Sequence, residues 1–362
     1  MSKGKVLLCM SGGIDSSVAA MLLRDQGYEI YGLTYRPYDS ISIGCMENKI
    51  GCCSVDAIFE AKNLADKLGF PHSVLDLRKE FDNIVISDFI NEYLAGRTPN
   101  PCVVCNRTVK WGEVLKKADE MDCEFISTGH YARINKKNGR SFLVKGKDES
   151  KDQTYFLWQL SQDDLKRTIF PLGDLTKNEV RNIARQKGFE KISNKRESQE
   201  ICFITDNDYR RFIRERMPEI DQKVGEGNFT DISGKILGKH KGYPFYTIGQ
   251  RKGLVIALGK PAYVVDIKPE ENIVVLGERE DLNKKELWVD NVNLMKYENI
   301  SGEMEVITKI RYNNAGNLSR ISQHGDRIKV EFYNEAWAVA PGQSAVFYEG
   351  DELIGGGIIC RG

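Results

Sequence analysis

The sequence lacks an excess of charge of either sign, because 52 lysines and arginines balance 52 aspartates and glutamates. A strongly basic domain would predict phosphate contacts directly, so the net charge gives no argument for nucleic-acid binding. The chain also lacks an apolar run long enough to span a bilayer, and no secretory signal sequence follows Met1. We therefore expect a cytoplasmic protein that does not bind membranes.

Features of disordered chains are lacking too, since 41% of the 362 residues are hydrophobic and 29% are charged, as in ordinary globular proteins. A chain of this length favours two or three domains with separate cores. In a reducing compartment the nine cysteines are mostly thiols. Their positions therefore bear on metal, redox or sulfur chemistry rather than on folding.

Basic residues are unevenly distributed despite the neutral total. Six of them, with no acid, lie between Arg133 and Lys147, and six more lie between Ser233 and Lys260. Both stretches are candidate phosphate-binding surfaces. The alternative is that both are solvated loops balanced by acids elsewhere in the chain.

Strands and helices alternate in the first half of the chain. Lys5 to Met10 is predicted to be a buried strand, Ser16 to Gln26 an amphipathic helix and Glu29 to Tyr35 a second strand. A further strand is predicted at Glu124 to Thr128. This order predicts an α/β fold with a doubly wound parallel sheet, in a catalytic domain over residues 1–210.

The pattern changes at about residue 225, where Gly, Tyr, Val and Ile begin to recur in short alternating runs separated by turn residues. Such runs are typical of small β-barrels. We predict a small central β domain at 211–280 and a C-terminal β-barrel domain at 281–362.

A glycine-containing turn, Ser11-Gly12-Gly13-Ile14-Asp15-Ser16-Ser17, connects the first predicted strand to the first helix. Glycines let the backbone approach an anion, and the helix N-terminus adds unpaired N–H groups and a positive dipole. The turn therefore predicts a pyrophosphate site, although an ordinary strand-to-helix turn is the alternative. It is not a Walker A loop, because no Gly-Lys-Ser/Thr follows.

This SGGxDS segment resembles the PP-loop of N-type ATP pyrophosphatases, which adenylate an oxygen of the substrate and release pyrophosphate. The resemblance implies that ATP and Mg²⁺ bind here, with Asp15 close to the metal and the pyrophosphate. The residues expected to bind the nucleotide are Cys9, Met10, Ser11, Gly12, Gly13, Ile14, Asp15, Ser16, Ser17, Leu33 and Gly129. The Cys9 side chain itself is expected to serve packing.

Six later segments appear in one order along the chain. They are Arg97-Thr98-Pro99-Asn100-Pro101 leading to Cys105-Asn106, Gly129 to Arg133, Lys151 to Leu157, Glu197 to Phe203, Phe245 to Gly253 and Ala340 to Tyr348. Together they resemble the MnmA family of tRNA-specific 2-thiouridylases over nearly the whole chain. The resemblance implies ATP-dependent conversion of the wobble uridine (anticodon position 34) of tRNA to 2-thiouridine, with AMP and pyrophosphate as the other products.

The resemblance also assigns roles to individual residues. Cys202 is implied as the persulfide carrier, Cys105 as the nucleophile, and Asp15 and His130 as further catalytic residues. A structural thiol is the alternative for either cysteine. Contact with the tRNA anticodon loop is implied for Asn100, Pro101, Cys102, Lys151, Asp152, Gln153, Arg311, Tyr312 and Gln343.

The partners implied are tRNA and a persulfide sulfur donor, such as a cysteine desulfurase or a sulfur-relay protein. Two rival functions remain open from the residues alone. One is a PP-loop ligase or amidotransferase that acts on a small molecule, which would not need Cys105 and Cys202. The other is a non-catalytic RNA-binding protein, against which the intact Asp15 and both cysteines argue.

Cys102 departs from the family pattern, which usually has aspartate after Asn100-Pro101. The resulting Cys102-x-x-Cys105 pair, together with Cys202, predicts either three ligands for a [4Fe–4S] cluster or an accessory, resolving thiol at Cys102. The spacing does not decide between them. Three further cysteines, Cys45, Cys52 and Cys53, are candidates for a metal site without a matching pair of ligands nearby.

Overall fold

The structure, a computed structural model, describes residues 2–38, 55–193, 201–204, 206–256 and 259–361. Cys45, Cys52 and Cys53 lie outside the described residues, so the metal hypothesis for these three cysteines stays a prediction. No helix within these described ranges is long and apolar enough to cross a membrane.

A five-stranded parallel sheet forms the first layer, in the order β3-β2-β1-β4-β7. In chain order the strands of this half are β1 (Lys5–Cys9), β2 (Glu29–Arg36), β3 (His72–Asp76), β4 (Phe125–Ser127), β5 (Ala132–Lys137), β6 (Arg140–Lys145) and β7 (Thr168–Ile169). The central strand β1 is apolar on both faces because helices cover both sides, so Val6, Leu7 and Leu8 are all inaccessible to solvent. The predicted α/β fold with a parallel sheet is confirmed.

Helices connect and cover these strands. They are α1 (Ile14–Asp25), α2 (Val55–Leu68), α3 (Arg78–Phe81), α4 (Ser87–Leu94), α5 (Pro101–Cys105), α6 (Val114–Glu120), α7 (Gln162–Lys166), α8 (Lys177–Gln186), α9 (Glu190–Ser193), α10 (Tyr209–Arg216) and α11 (Ile220–Lys223). Two π-helical segments interrupt them, Asp82–Ile86 before α4 and Asn106–Glu113 between α5 and α6. Helix α8 begins with a capping box in which Thr176 and Glu179 satisfy each other's backbone N–H groups.

A four-stranded sheet forms the central β unit, in the order β10-β11-β8-β9. Its strands are β8 (Gly227–Thr230), β9 (Ile236–His240), β10 (Tyr263–Lys268) and β11 (Ile273–Gly277). Phe229 and Val274 from this sheet share one apolar cluster with Phe89 of α4 and Phe212 of α10. The central sheet is therefore packed directly against the helices that lead to the cysteine-containing segments.

The C-terminal strands close into a barrel, as predicted. They are β12 (Asn283–Leu294), β13 (Glu303–Lys309), β14 (Asn317–His324), β15 (Arg327–Trp337), β16 (Ser344–Glu349) and β17 (Glu352–Ile359). Closure follows because β12 pairs with both β15 and β17, which leaves neither end of the six-strand series open. Val289, Val330 and Phe347 fill the interior.

The first basic stretch has a structural role that its charge did not reveal. Its hairpin, β5 and β6, joins the barrel sheet where Val144 pairs with Glu352. Arg140 donates hydrogen bonds to the carbonyls of Leu294 (2.7 Å) and Met295 (2.9 Å). Much of this stretch therefore holds the N-terminal unit against the barrel, a role that neither the phosphate-binding nor the solvated-loop interpretation predicted.

Candidate active site

The PP-loop lies between β1 and α1 and is folded by its own serines. Ser17 donates to the Gly13 carbonyl at 2.8 Å, and Ser16 does so at 3.2 Å. Gly13 is the N-cap of α1 and has no side chain to accept from the first turn. The N-terminus of this twelve-residue helix therefore presents its dipole and N–H groups at the position where a pyrophosphate is expected.

Two glycines allow close backbone approaches at this loop. Gly12 has φ +68°, and a Cβ atom there would lie 2.4 Å from the Ala57 carbonyl oxygen. A Cβ on Gly129 would lie 2.8 Å from the backbone nitrogen of Ser16 and 2.9 Å from the carbonyl carbon of Asp15. The loop after β4 therefore packs directly on the first turn of α1, where Gly129 is expected to meet the nucleotide.

Asp15 projects from the first turn of α1 into a small polar network. Its carboxylate accepts two hydrogen bonds of 2.8 Å from Nζ of Lys177, the first residue of α8. Tyr131 donates its hydroxyl to Oδ1 of Asp15 at 2.7 Å. Because only 9% of the Lys177 side chain is exposed, this pair is largely shielded from solvent. A metal that binds here must compete with Lys177 for Asp15, whereas a phosphate must compete with Asp15 for Lys177.

The other predicted nucleotide residues are mostly buried in the sheet. Met10 and Ile14 are almost completely inaccessible to solvent. Leu33 is fully buried, and its carbonyl accepts a hydrogen bond of 2.8 Å from the Met10 N–H. Burial raises the pKa of Cys9 to about 12, which makes it a packing thiol at the end of β1, although the Lys110 charge opposes the shift.

His130 follows Gly129 and points to a different neighbour, Lys110 in the π-helical segment. Its Nε2 lies 3.4 Å from Lys110 Nζ, and its Nδ1 lies 2.7 Å from Thr128 Oγ1. An ammonium group only donates, so Nε2 is the acceptor and Nδ1–H donates to Thr128. Burial and then the Lys110 charge lower the pKa of His130 well below its usual value. The imidazole is therefore neutral at physiological pH.

Cys105 is the last residue of α5, and Lys110 lies in the π-helical segment that follows it. Burial raises the pKa of the Cys105 thiol to about 11, the Lys110 charge opposes that rise, and the neighbouring Cys102 adds to it. Lys110 is five residues after Cys105, a spacing that the i→i+5 bonding of a π-helix brings to one face. Lys110 is thus the cation that acts on Cys9, Cys105 and His130 together.

Cys202 reaches the same region from another part of the chain. It packs, with Cys105, against the apolar cluster that contains Phe81, Phe89 and Phe203. Its carbonyl accepts a hydrogen bond from the Tyr38 hydroxyl. The two cysteines predicted to exchange sulfur therefore border one core, about a hundred residues apart in sequence.

Cys102, Cys105 and Cys202 do not form a ready ligand set for a metal. Within the described ranges, no three His, Cys, Asp or Glu side chains are placed to hold a metal ion. The physical reason is that Cys102 is exposed on α5, whereas Cys202 lies on a separate turn against the apolar cluster. The arrangement expected for a [4Fe–4S] cluster on Cys102, Cys105 and Cys202 is not present, so we derive no step through such a cluster.

Two residues expected to contact tRNA have internal partners instead. Asp152 is buried, and its carboxylate accepts from the Thr154 hydroxyl at 2.8 and 2.9 Å and from the Gly146 N–H at 3.3 Å. Gln153 accepts from the Tyr131 N–H at 3.0 Å through its side chain. Gln153 therefore positions Tyr131 and Asp152 fixes the turn that contains Thr154, while their contact with tRNA stays a prediction. Lys151 is half-buried next to them.

Gln343 connects the barrel to the segment that precedes α5. Its amide donates to the carbonyls of Pro99 (2.7 Å) and Thr98 (3.3 Å). The Thr98 N–H donates back to the Pro341 carbonyl at 2.8 Å. Asn100 then caps α5, whose first residue is the buried Pro101. The predicted base-contacting turn thus also fixes the start of the cysteine helix.

Arg311 and Tyr312 lie where the barrel meets the N-terminal unit. The Arg311 guanidinium lies 5.2 Å from the Trp337 ring and donates to the Trp337 carbonyl. Its Nε has no partner within the part of the chain that the structure describes. Tyr312 packs on Phe156 at 4.5 Å between ring centres. The unpaired Nε is itself buried, and one face of Tyr312 is already covered.

Three family models match consecutive parts of the chain. The tRNA methyl transferase HUP domain matches residues 4–206, the tRNA methyl transferase PRC-barrel domain residues 210–278, and the aminomethyltransferase beta-barrel domain residues 284–359.

Curated relatives match the chain over its whole length. The tRNA-specific 2-thiouridylase MnmA of Cytophaga hutchinsonii is 53% identical over 358 residues, which cover 99% of this chain and 97% of the relative. The proteins of the same name from Amoebophilus asiaticus and Salinibacter ruber are 52% and 46% identical, with 99% of this chain covered in each case and 96% and 94% of the relatives. The chain belongs to the MnmA family of tRNA-specific 2-thiouridylases. The family resemblance expected from the motifs is confirmed.

Sequence reasoning missed two cations in this MnmA-family site, Lys110 and Lys177. Lys177 is a lysine in the first turn of a helix, where the macrodipole disfavours a cation, and the Thr176–Glu179 capping box was readable from the sequence. A lysine at this unfavourable helix position was therefore a signal, readable from the sequence, that its side chain has a partner elsewhere in the protein. Lys110 had no such signal, because its place beside Cys105 depends on a π-helical segment.

The first prediction concerns Gly129→Ala. The added methyl group would meet backbone atoms of Asp15 and Ser16, which move only if the start of α1 moves. Misplaced phosphate donors should weaken ATP affinity by about tenfold or more, or ~1.4 kcal/mol, in isothermal titration calorimetry. The control is Gly112→Ala, whose methyl group meets only the Arg107 carbonyl at an ordinary 3.6 Å. Equal ATP affinity in a folded Gly129→Ala protein would refute the packing argument.

The second prediction concerns Lys110→Met. Loss of the cation destabilises the thiolate, so the pKa of Cys105 should rise further above about 11, while the pKa of His130 should rise towards its usual value. Alkylation of Cys105 at a fixed pH below the pKa should slow about tenfold for each pKa unit, measured by peptide mass spectrometry from pH 7 to 10. Lys110→Arg keeps the charge and should restore the profile. Identical pH profiles for Lys110→Met and the unmodified protein would contradict the role of Lys110.

Proposed function

We propose that this chain adenylates the wobble uridine of tRNA with ATP and then replaces the activated oxygen with sulfur carried by Cys202. The observation that supports this most directly is the position of residues 128–131 between two sites. Gly129 and Tyr131 contact the first turn of α1 at the PP-loop, whereas His130 contacts Lys110 beside Cys105. Adenylation and sulfur transfer can therefore act on one base held between them.

In the first step the uridine O2 attacks the α-phosphate of ATP, and pyrophosphate leaves. The backbone N–H groups of Gly13 and the first turn of α1 would hold the departing phosphates. Asp15 would hold Mg²⁺, which neutralises charge on the leaving pyrophosphate when it is bound. With Asp15 engaged by the metal, Lys177 would be able to pair with a phosphate oxygen.

In the second step the terminal sulfur of a Cys202 persulfide attacks C2 of the activated uridine, and AMP leaves with the former O2. The Cys105 thiolate then attacks Sγ of Cys202, which breaks the sulfur–sulfur bond to the base and releases 2-thiouridine. A Cys105–Cys202 disulfide forms in the same event. The Lys110 charge would favour the Cys105 thiolate that this attack requires.

We further propose a division of work along the chain. Residues 1–210 would perform the chemistry, while residues 211–280 and 281–362 would hold the anticodon arm. Exposed cations of the central unit, Lys239, Lys241, Arg251 and Lys252, are suited to the phosphate backbone. The guanidinium of Arg311 is a charge suited to a phosphate or base acceptor. Asn100, Cys102, Lys151, Tyr312 and Gln343 would border the extruded base.

The sulfur for Cys202 would come from a cytoplasmic persulfide donor, such as a cysteine desulfurase or a sulfur-relay protein. A PP-loop ligase for a small molecule would not need the two cysteines. The full-length identity to proteins named tRNA-specific 2-thiouridylase therefore supports thiolation over that alternative.

Two substitutions should separate the two steps. Cys202→Ser removes the sulfur carrier after activation, so tRNA-dependent pyrophosphate release should continue while 2-thiouridine formation is abolished. Asp15→Asn removes the charge that organises metal and phosphates, so pyrophosphate release itself should fall by a factor on the order of 100 or more. Pyrophosphate is measured by a coupled assay, and the nucleoside by mass spectrometry of digested tRNA.

Cys360→Ser is the matched control for loss of a thiol, because Cys360 lies at the end of the barrel. It should retain both activities. Thiolation by Cys202→Ser at the unmodified rate would remove Cys202 from the mechanism, and pyrophosphate release that ignores tRNA would favour the small-molecule ligase.

A further inference from the structure

Cys102 is an exposed thiol next to the catalytic pair. It lies in α5 three residues before Cys105, a spacing that places both side chains on one face of the helix with Cβ atoms about 5–6 Å apart. Cys102 is exposed and Cys105 is partly buried, and both are free thiols among the described residues. A negative charge at Cys102 adds to the burial that raises the pKa of the Cys105 thiol.

The proposed catalytic cycle needs a route by which its disulfide is reduced. Each turnover described above leaves a Cys105–Cys202 disulfide, and two electrons must enter before Cys202 can accept another sulfur atom. Both cysteines of that disulfide pack against the apolar cluster around Phe89 and Phe203. A soluble reductant that attacks this bond must approach in line with two partly buried sulfur atoms, whereas Cys102 is exposed.

We propose that Cys102 is a resolving cysteine that carries the disulfide from the partly buried catalytic pair to the protein surface. This inference rests on the proposed sulfur transfer through Cys105 and Cys202. The Cys102 thiolate attacks Sγ of Cys105, a Cys102–Cys105 bond forms, and Cys202 leaves as a thiolate ready for a new persulfide. The exchange is redox-neutral, since one disulfide replaces another. A dithiol from solution then reduces the exposed Cys102–Cys105 disulfide, supplies both electrons and becomes oxidised itself.

The arrangement of the side chains favours this role over metal binding. A relay needs only that Cys105 meets each of its two partners in turn, whereas a cluster needs three ligands held together at one time. No such set of three occurs within the described ranges. The surface position of Cys102 meets the requirement of a relay terminus, which must be reached by a second molecule.

The test is a single turnover without reductant. The full-length protein is loaded with persulfide by a cysteine desulfurase and L-cysteine, desalted, and mixed with ATP, Mg²⁺ and unmodified tRNA. After quenching with N-ethylmaleimide, tryptic peptides are analysed by mass spectrometry. We expect a disulfide within the Thr98–Arg107 peptide, which contains both Cys102 and Cys105. In Cys102→Ser we expect the disulfide that joins this peptide to the one containing Cys202.

Steady-state thiolation with dithiothreitol gives a second readout. The ratio of the steady-state rate to the first-turnover amplitude should fall about tenfold or more in Cys102→Ser, because regeneration is lost. Cys102→Ala should behave in the same way, and Cys360→Ser should keep the ratio of the unmodified protein. A structural role for Cys102 would lower amplitude and rate together and leave the ratio unchanged.

Two outcomes overturn the relay. One is a Cys105–Cys202 disulfide that persists in the unmodified protein, and the other is an unchanged ratio in Cys102→Ser. Absence of thiolated tRNA in the first turnover of the unmodified protein would overturn the proposed function as well, which separates that failure from a failure of the relay alone.

Discussion

The contact between Gly129 and the first turn of α1 is the constraint on which the rest of the site depends. A side chain at this position would collide with backbone atoms of Asp15 and Ser16, so β4 and α1 approach closely only because the residue is glycine. That approach brings Tyr131 within hydrogen-bond distance of Asp15. His130, which lies between Gly129 and Tyr131, is directed away from the PP-loop towards Lys110. One short loop thus connects a phosphate-binding helix to a thiol pocket.

The two sites differ in the charged groups that they contain. At the PP-loop a carboxylate is already neutralised by Lys177, so the helix N-terminus is left to attract phosphates. In the thiol pocket burial lowers the pKa of His130 and the Lys110 ammonium adds to that effect, while the same ammonium opposes the effect of burial on the pKa of Cys105. A neutral imidazole adds no second positive charge to this pocket. The barrel contributes through Gln343, which fixes the segment that leads into α5.

Features encoded by local sequence were predicted well. The strand-turn-helix at the PP-loop, the strand that begins at Glu29 and the alternating pattern of the C-terminal barrel all follow from periodicity and turn residues. Features that depend on contacts between distant residues were not. Asp152 and Gln153 have polar side chains typical of an RNA contact, yet tertiary packing gives them internal partners. Lys110 acquires its position from a π-helical segment, for which the sequence has no recognised pattern.

The central claim is that the uridine oxygen itself is activated by ATP before sulfur replaces it. The most direct measurement uses tRNA with ¹⁸O at O2 of the wobble uridine, followed by mass spectrometry of the released nucleotide after one turnover. Our account predicts that the ¹⁸O atom appears in the phosphate of AMP and that the modified base retains none at C2. Recovery of the label in water or pyrophosphate, with unlabelled AMP, would contradict adenylation of the base and with it the coupling of the two sites.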